Sequence, residues 1–588
     1  MNRRNFVRSA ALIPLAVGSA GPSFASLATG ESEKNGLQQV ADAPLRERFE
    51  LALHRVLAGD SPVYSEELVL ADVRPVPERR FTEYSGDVSG RYIGALATAA
   101  RFYGRPIAGL DGLVSKVIAL QKPDGYFGAG FHYDQPKDDE LALLWGNGRL
   151  LVGLLEYYQL KPLPEVLAAC RRLGDWLVRI SPLMLSQEIR SEFGAQHFAT
   201  SYICWMQQTE GLSKLYQVTQ DGRYRKLASE IAAVIVRRPS DHVHGYLTSL
   251  RGVMDLYDAS GEARFLAQCE GAWAEIAESQ DALITGGVPE KWSPGNHRTE
   301  GCGEADWVRL SLSLWKATGN RKYLRMAERS VFNELAFNQF ATGDFGNRVY
   351  TETGVPADGA VRAWWCCTLH GLRAIPDIQA SAFRAQQGGL YYDLPVDGGI
   401  ETPAWSATAA SSLAREGTIR IRLARTRQAP APLFIRRPEW ASALDIRLNG
   451  SVLPFTEEGG YARVERRWRT GEVLTVRYAM QLRCEPSGAG RVSYFFGPWL
   501  LGAPASENFD YFNELTLNNR LLRGKEERFS AARQPGHPFR VPIAATAVPY
   551  IPAEYPLQPG RVVLRALAEQ SGQPTTSWEL RFLTQEQG

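Results

Sequence analysis

The sequence predicts a multidomain α+β protein, an (α/α)6-type toroid followed by a C-terminal β-sandwich region, and three observations carry that expectation. The chain has 588 residues, too many for one hydrophobic core, with an ordinary globular apolar content of 44%. A weak internal repeat runs through its middle. Past Leu390 the apolar period changes from three-and-four to two.

The chain opens on Asn2-Arg3-Arg4-Asn5-Phe6-Val7, followed by an apolar run from Ala10 to Val17 and small residues near Ser23-Phe24-Ala25 and Ser26-Leu27-Ala28. Paired arginines before a short apolar run resemble a twin-arginine export signal, cleaved near residue 28, and the run is too short to span a bilayer. The expected location is therefore periplasmic or secreted. A merely basic, unstructured N-terminus is the alternative. Residues 29–60 are expected to be a linker or strand.

Helical periodicity follows at Arg91 to Tyr103, Leu110 to Leu120, Glu140 to Tyr158 and Leu163 to Ile180. The repeat is clearest in Leu215-Tyr216-Gln217-Val218-Thr219, Leu256-Tyr257-Asp258-Ala259-Ser260-Gly261 and Leu314-Trp315-Lys316-Ala317-Thr318-Gly319. Each copy reads as a helix, a polar or glycine stop, and a second helix. Helical hairpins repeated in this way predict a toroid over residues 61–387, with an open α-solenoid as the alternative. The two-residue period appears in Thr418-Ile419-Arg420-Ile421-Arg422-Leu423 and in Val473-Leu474-Thr475-Val476-Arg477-Tyr478, with turns at Asn449-Gly450 and Thr470-Gly471. Residues 388–588 are thus expected to form one or two β-sandwich domains, with the strand arginines on a solvated face.

Lys+Arg 66 against Asp+Glu 64 supplies no basic field for nucleic acid or for an anionic membrane. A neutral small molecule or a sugar fits that balance. Seven cysteines are odd in number and sparse, which is not a disulfide framework. Cys170, Cys204 and Cys269 lie in apolar helical stretches and read as small buried hydrophobes. Cys366-Cys367 opens a predicted helix, and Glu300-Gly301-Cys302 precedes another. Vicinal thiols rarely bridge each other. Three thiols and a carboxylate are a full tetrahedral shell for zinc, although neither pair has the usual C-x-x-C spacing. Buried structural cysteines are the alternative.

Several segments occur in the order found in glycoside hydrolase family 127, the β-L-arabinofuranosidases. They are Leu120-Gln121-Lys122-Pro123-Asp124-Gly125-Tyr126-Phe127, Thr285-Gly286-Gly287 with Glu290, Thr299-Glu300-Gly301-Cys302 and Cys366-Cys367. Farther on, Ile435-Arg436-Arg437-Pro438-Glu439-Trp440, Gly460-Tyr461, Arg467-Trp468 and Phe496-Gly497-Pro498 resemble the family's sandwich. The resemblance implies a retaining glycoside hydrolase that releases a terminal furanose. It implies a Zn2+ ion held by Glu300, Cys302, Cys366 and Cys367, with Cys366 the nucleophile and Glu290 the general acid and base. Glu290 lies only ten residues before Glu300, closer than the family pattern leads one to expect, and Glu304 is the fallback for its role. His244, His197, Trp145 and Asp124 are implied as substrate-binding residues, although Asp124 beside Gly125 also suits a turn. His370 stands one helical turn after Cys366, where the family more commonly has proline and asparagine after the cysteine pair. The implied partner is a carbohydrate, with no nucleic acid and no membrane for the mature chain.

Overall fold

A computed structural model describes residues 44–586, apart from stretches at 59–61, 75–83, 187–198, 294–296, 513–519, 524–540 and 547–559 and several shorter ones. The export signal and His197 lie outside the described residues. Residues 45–57, expected to be part of a linker or strand, instead form helix α1 (Leu45–Leu57), and Phe49, Ala52 and Val56 bury one face of it.

The helical domain closes as a ring. Its inner helices are α3 (Asp87–Tyr103), α5 (Asp138–Leu160), α8 (Gln208–Thr219), α10 (Val243–Ser260), α12 (Gly301–Thr318) and α15 (Leu369–Ala380), each touching the next, with α15 returning to α3. Outer helices α4 (Leu110–Ile118), α6 (Pro164–Met184), α9 (Gly222–Ala232), α11 (Ala263–Ala277) and α13 (Arg321–Phe332), together with α1, pack against them. The remaining helices are α2 (Glu66–Val73), α7 (Ser201–Met206) and α14 (Glu334–Asn338). The three sequence repeats are the hairpins α8–α9, α10–α11 and α12–α13. Each inner helix ends on a left-handed residue, Gln220, Gly261 or Gly319, which stops the helix and turns the chain outward. Asp221 and Asn320 then cap the outer helices through their side chains.

Glycine lets the backbones of α3 and α5 approach closely. A Cβ on Gly90 would sit 2.4 Å from the Arg149 backbone, and one on Gly153 would sit 2.1 Å from the Gly90 carbonyl oxygen. That approach brings Arg91 and Arg149 toward the centre of the ring.

The C-terminal region is β-structure, as expected. Residues 383–480 supply a five-stranded sheet and a six-stranded sheet whose inward apolar residues join one buried cluster. On the strand Thr418–Arg425, Ile419, Ile421 and Leu423 are buried while Arg420 and Arg422 face solvent. Asn449 and Gly450 both take positive φ and turn a two-residue hairpin. Residues 482–586 build a further nine-stranded sheet, which borrows an edge strand, Gly354–Val355, from the helical domain. Among the described residues, no helix is long and apolar enough to cross a membrane.

Asn333, directly after α13, ties the ring to this last sheet. Its side-chain amide donates to the carbonyl oxygens of Arg329 (2.9 Å) and Pro498 (3.0 Å), and its oxygen accepts from the Leu500 N–H at 2.6 Å. Asn333→Ala leaves buried backbone groups of the sheet without a partner. The expected cost is about 2–3 kcal/mol, read as a lower urea midpoint at unchanged slope; an unchanged midpoint contradicts the tie.

Candidate active site and metal centre

The site forms where two junctions meet. A small antiparallel sheet pairs β1 (Arg298–Glu300) with β2 (Gly346–Val349), and β2 with β3 (Ala360–Arg362). Glu300 ends β1 and occupies the N-cap position of α12, so its carboxylate and Cys302, the second residue of the helix, share the mouth of the ring. Gly301 between them is obligatory in size, since a Cβ there would lie 2.8 Å from Asn338 Oδ1 and 3.0 Å from Cys367 Cβ.

The cysteine pair enters through a π-turn, Trp364–Thr368, that leads into α15. Such wide turns occur mostly as single insertions at functional sites. Thr368 pins this one by accepting from the Phe345 N–H at 3.0 Å and donating to Asp344 Oδ1 at 3.2 Å, and the Tyr64 hydroxyl donates to the Trp364 carbonyl. Consecutive Cys366 and Cys367 thereby present their sulfurs to one side, 3.7 Å apart.

Glu300 Oε1 lies 3.8 Å from both Cys366 Sγ and Cys367 Sγ, and Cys302 Sγ lies 3.8 Å from Cys367 Sγ. A divalent ion bound tetrahedrally by thiolates at about 2.3 Å requires sulfurs about 3.8 Å apart. The observed edges match that tetrahedron, so the four side chains can hold a metal ion. Their exposures differ: Cys302 and Cys367 are 0% exposed, Glu300 4% and Cys366 9%. The neighbouring thiols of Cys302 and Cys367, hydrogen-bonded to the Cys366 sulfur, pull its thiol down to about 6 against the effect of burial. Burial pushes Cys302 and Cys367 up.

Glu290 joins this group despite its short spacing from Glu300, because residues 289–290 pair antiparallel with residues 298–299. Glu290 N–H donates to the Arg298 carbonyl at 2.7 Å, Pro289 bridges Thr299, and Val243 N–H donates to the Glu290 carbonyl at 2.9 Å. The carboxylate oxygens of Glu290 and Glu300 and a ring nitrogen of His242 lie within 4.8 Å of one another. Burial, then the Glu300 charge, raises the Glu290 carboxyl to about 7, against the pull of His242 and Arg298, whose Nε is 2.9 Å from Glu290 Oε2. Burial would also raise Glu300, but His242 Nε2, 3.1 Å from Glu300 Oε2, outweighs it and holds that carboxyl at about 2.

Glu304, the fallback acid, turns away from this group. It is fully buried, its Oε1 accepts from Val288 N–H at 3.0 Å, and burial with the Glu334 charge keeps its carboxyl well above the usual range.

The expected sugar-binding residues separate. His244 is held inside the ring: its Nδ1 is 2.7 Å from Asp306 Oδ2, its Nε2 is 3.1 Å from Arg91 Nη2, and the side chain is buried. Because a guanidinium only donates, Nε2 must accept and Nδ1 must carry the proton given to Asp306. Burial, with Arg149 and Arg91, lowers this imidazole to about 4 against the Asp306 bond, so it is neutral near pH 7. Asp124 sits on an exposed turn, where Tyr133 Oη donates to it at 2.9 Å and Gly125 takes a φ of +104°, so it serves that turn. Trp145 is buried, donates to Asp87 Oδ1 at 2.9 Å, and stands edge-on to His242 and His244 at 5.7 and 5.5 Å. His370 is buried with Nδ1 2.8 Å from Arg91 Nη1.

His242 and Arg91 were not singled out from the sequence. An arginine within the apolar helical stretch of Arg91 to Tyr103, with Asp87 four residues before it, was a usable signal, since a buried charge requires a partner.

A closed helical ring, the β-sheets that follow it and a carboxylate–thiol cluster at the ring's mouth together define the site. The chain matches the sequence profile of the β-L-arabinofuranosidase GH127 catalytic domain over residues 74–380 and that of the GH127 middle domain over residues 400–480. It belongs to glycoside hydrolase family 127. Among solved structures, a GH127 β-arabinofuranosidase aligns at 17% identity over 94% of this chain and 96% of its own, with a TM-score of 0.67. A GH127 β-L-arabinofuranosidase from Geobacillus stearothermophilus T6 aligns at 16% identity over 92% of this chain and 99% of its own, with a TM-score of 0.69. These likenesses establish a shared fold. No curated protein matches the chain.

Asp306 braces the site from behind. Besides His244, it accepts from Thr248 Oγ1 at 2.9 Å and Arg251 Nη1 at 2.7 Å. Asp306→Ala strands these donors in the ring interior, with an expected loss of about 3–5 kcal/mol in urea unfolding, and Asp306→Asn is expected to cost less. Wild-type stability in the alanine variant contradicts the bracing role.

Proposed function

We propose that this chain is a retaining, exo-acting hydrolase of terminal β-L-arabinofuranosides from plant-type glycans, with Cys366 as nucleophile and Glu290 as general acid and base. Exposure supports that choice of sulfur: Cys302 and Cys367 are closed to solvent, and Cys366 is the cluster thiol with surface open to a substrate. The preference for L-arabinofuranose rests on family membership and on the activity named for the Geobacillus stearothermophilus structure.

The proposed ion is Zn2+, held by Glu300, Cys302, Cys366 and Cys367, a donor set of soft sulfur and carboxylate oxygen that suits it. When bound, it supplies positive charge that keeps the Cys366 sulfur ionised at neutral pH.

In the first step Cys366 Sγ forms a bond to the anomeric carbon while the glycosidic C–O bond breaks. Glu290 gives its proton to the departing oxygen. In the second step the Glu290 carboxylate takes a proton from water, whose oxygen bonds to the anomeric carbon as the C–S bond breaks. Two inversions give net retention. Glu290 begins protonated, as its buried position beside Glu300 favours, while His242 keeps Glu300 ionised as a ligand.

Cys366→Ser is expected to abolish turnover of an aryl β-L-arabinofuranoside, and Glu290→Gln to lower kcat by about 10²–10⁴-fold. A mechanism-based furanoside inhibitor is expected to leave its mass on the peptide holding Cys366. An adduct on another residue, or a Cys366→Ser variant with full activity, overturns the assignment. Release of a different sugar from pectic oligosaccharides, with no turnover of the arabinofuranoside, overturns the substrate while leaving the mechanism.

We also propose that Arg3 and Arg4 direct export of the folded chain by the twin-arginine route. Replacing both with lysine is expected to leave the precursor in the cytoplasm; undiminished export contradicts the proposal.

A further inference from the structure

We propose that Arg91 is a positioning residue for the metal centre, holding the Cys302 sulfur in place through a hydrogen bond from Nη1. The inference rests on the reading of the four-residue cluster as a metal site.

Arg91 lies on α3, and its side chain is 2% exposed. Its Nη1 is 3.5 Å from Cys302 Sγ, within hydrogen-bond reach for sulfur. The guanidinium is itself fixed from three further directions. Nε donates to Asp87 Oδ1 at 2.7 Å, one turn earlier on α3; Nη1 is 2.8 Å from His370 Nδ1 on α15; and Nη2 is 3.1 Å from His244 Nε2 on α10. Both imidazoles must present a lone pair to it, because guanidinium nitrogens only donate. Three inner helices, α3, α10 and α15, thus hold one rigid fork, and a further N–H of it points at a thiol on α12.

The charges explain why a donor belongs there. Three thiolates and a carboxylate bring four negative charges to a dication, leaving an excess of two in a buried site. A charge-assisted N–H···S bond takes up part of that excess, since hydrogen bonds to ionised acceptors are about twice as strong as neutral ones. It falls on Cys302, a sulfur closed to water that the reaction leaves in place as a ligand. Partners of this kind orient metal ligands, and their loss typically costs about 10–100-fold in metal affinity.

The test compares wild type, Arg91→Met, Arg91→Lys and Arg149→Met. Arg149 is the control because it is also buried at the ring centre but bonds Gln207 and Glu210. Zinc affinity is measured by chelator competition, and the thiolate-to-metal absorption is recorded on the cobalt(II)-loaded proteins. Arg91→Met is expected to weaken zinc binding about 10–100-fold and to shift the cobalt absorption. Arg91→Lys, which keeps the charge without the fork, should recover part of both, while Arg149→Met should change neither. If Arg91→Met does not accumulate folded, the lysine variant against wild type carries the same comparison. Unchanged affinity and absorption in the Arg91 variants, or equal effects from Arg149→Met, overturn the inference alone. A wild type that binds no ion overturns the metal reading and this inference with it.

Discussion

The demand that three thiols and a carboxylate meet within 4.8 Å of one another, away from water, is the constraint on which the rest of the site depends. No single element can meet it. Glu300 and Cys302 come from the end of a strand and the first turn of α12, and Cys366 and Cys367 come from a π-turn more than sixty residues later. What holds the two together is closure of the ring, since α12 packs on α15 and α15 packs on α3. Gly301 is the local cost of that closure, because a larger residue would meet Cys367 and Asn338.

The ring interior behind the cluster is charged rather than apolar. Asp306, Arg251, Glu210, Arg149, Arg373 and Glu156 form buried ion pairs between inner helices, alongside the Arg91 fork. Buried pairs contribute little net stability once desolvation is counted, but removing one partner is expensive. Their effect is geometric, because each pair accepts only one relative placement of its helices. Placement of α12 and α15 among them decides whether the four ligand atoms meet, whereas the Arg149–Glu210 pair joins α5 to α8, which carry no ligand.

The architecture was legible because its signals are local. The helix-stop-helix repeats became ring hairpins, and the alternating isoleucines and arginines of residues 418–425 became a strand with one buried face. The cluster cysteines were legible through motif order, whereas their distances came only with tertiary structure. A histidine beside an apolar helix start looks alike in sequence whether it faces a cleft or a buried aspartate, so the His244–Asp306 pair was not legible there. The short Glu290–Glu300 spacing looked anomalous until the antiparallel Pro289–Thr299 bridge set both carboxylates side by side. Arg91 and His242 act through partners far away in sequence, so no local pattern defines them. Helix α1 was missed because its buried face depends on docking against α15.

The account stands on one metal centre built from three sulfurs and one carboxylate oxygen. X-ray absorption at the zinc edge of the purified protein measures this directly. The account predicts one zinc per chain, with three sulfur neighbours at about 2.3 Å and one oxygen neighbour at about 2.0–2.2 Å. A spectrum with only nitrogen and oxygen neighbours, or a protein purified in zinc that retains none, would contradict it.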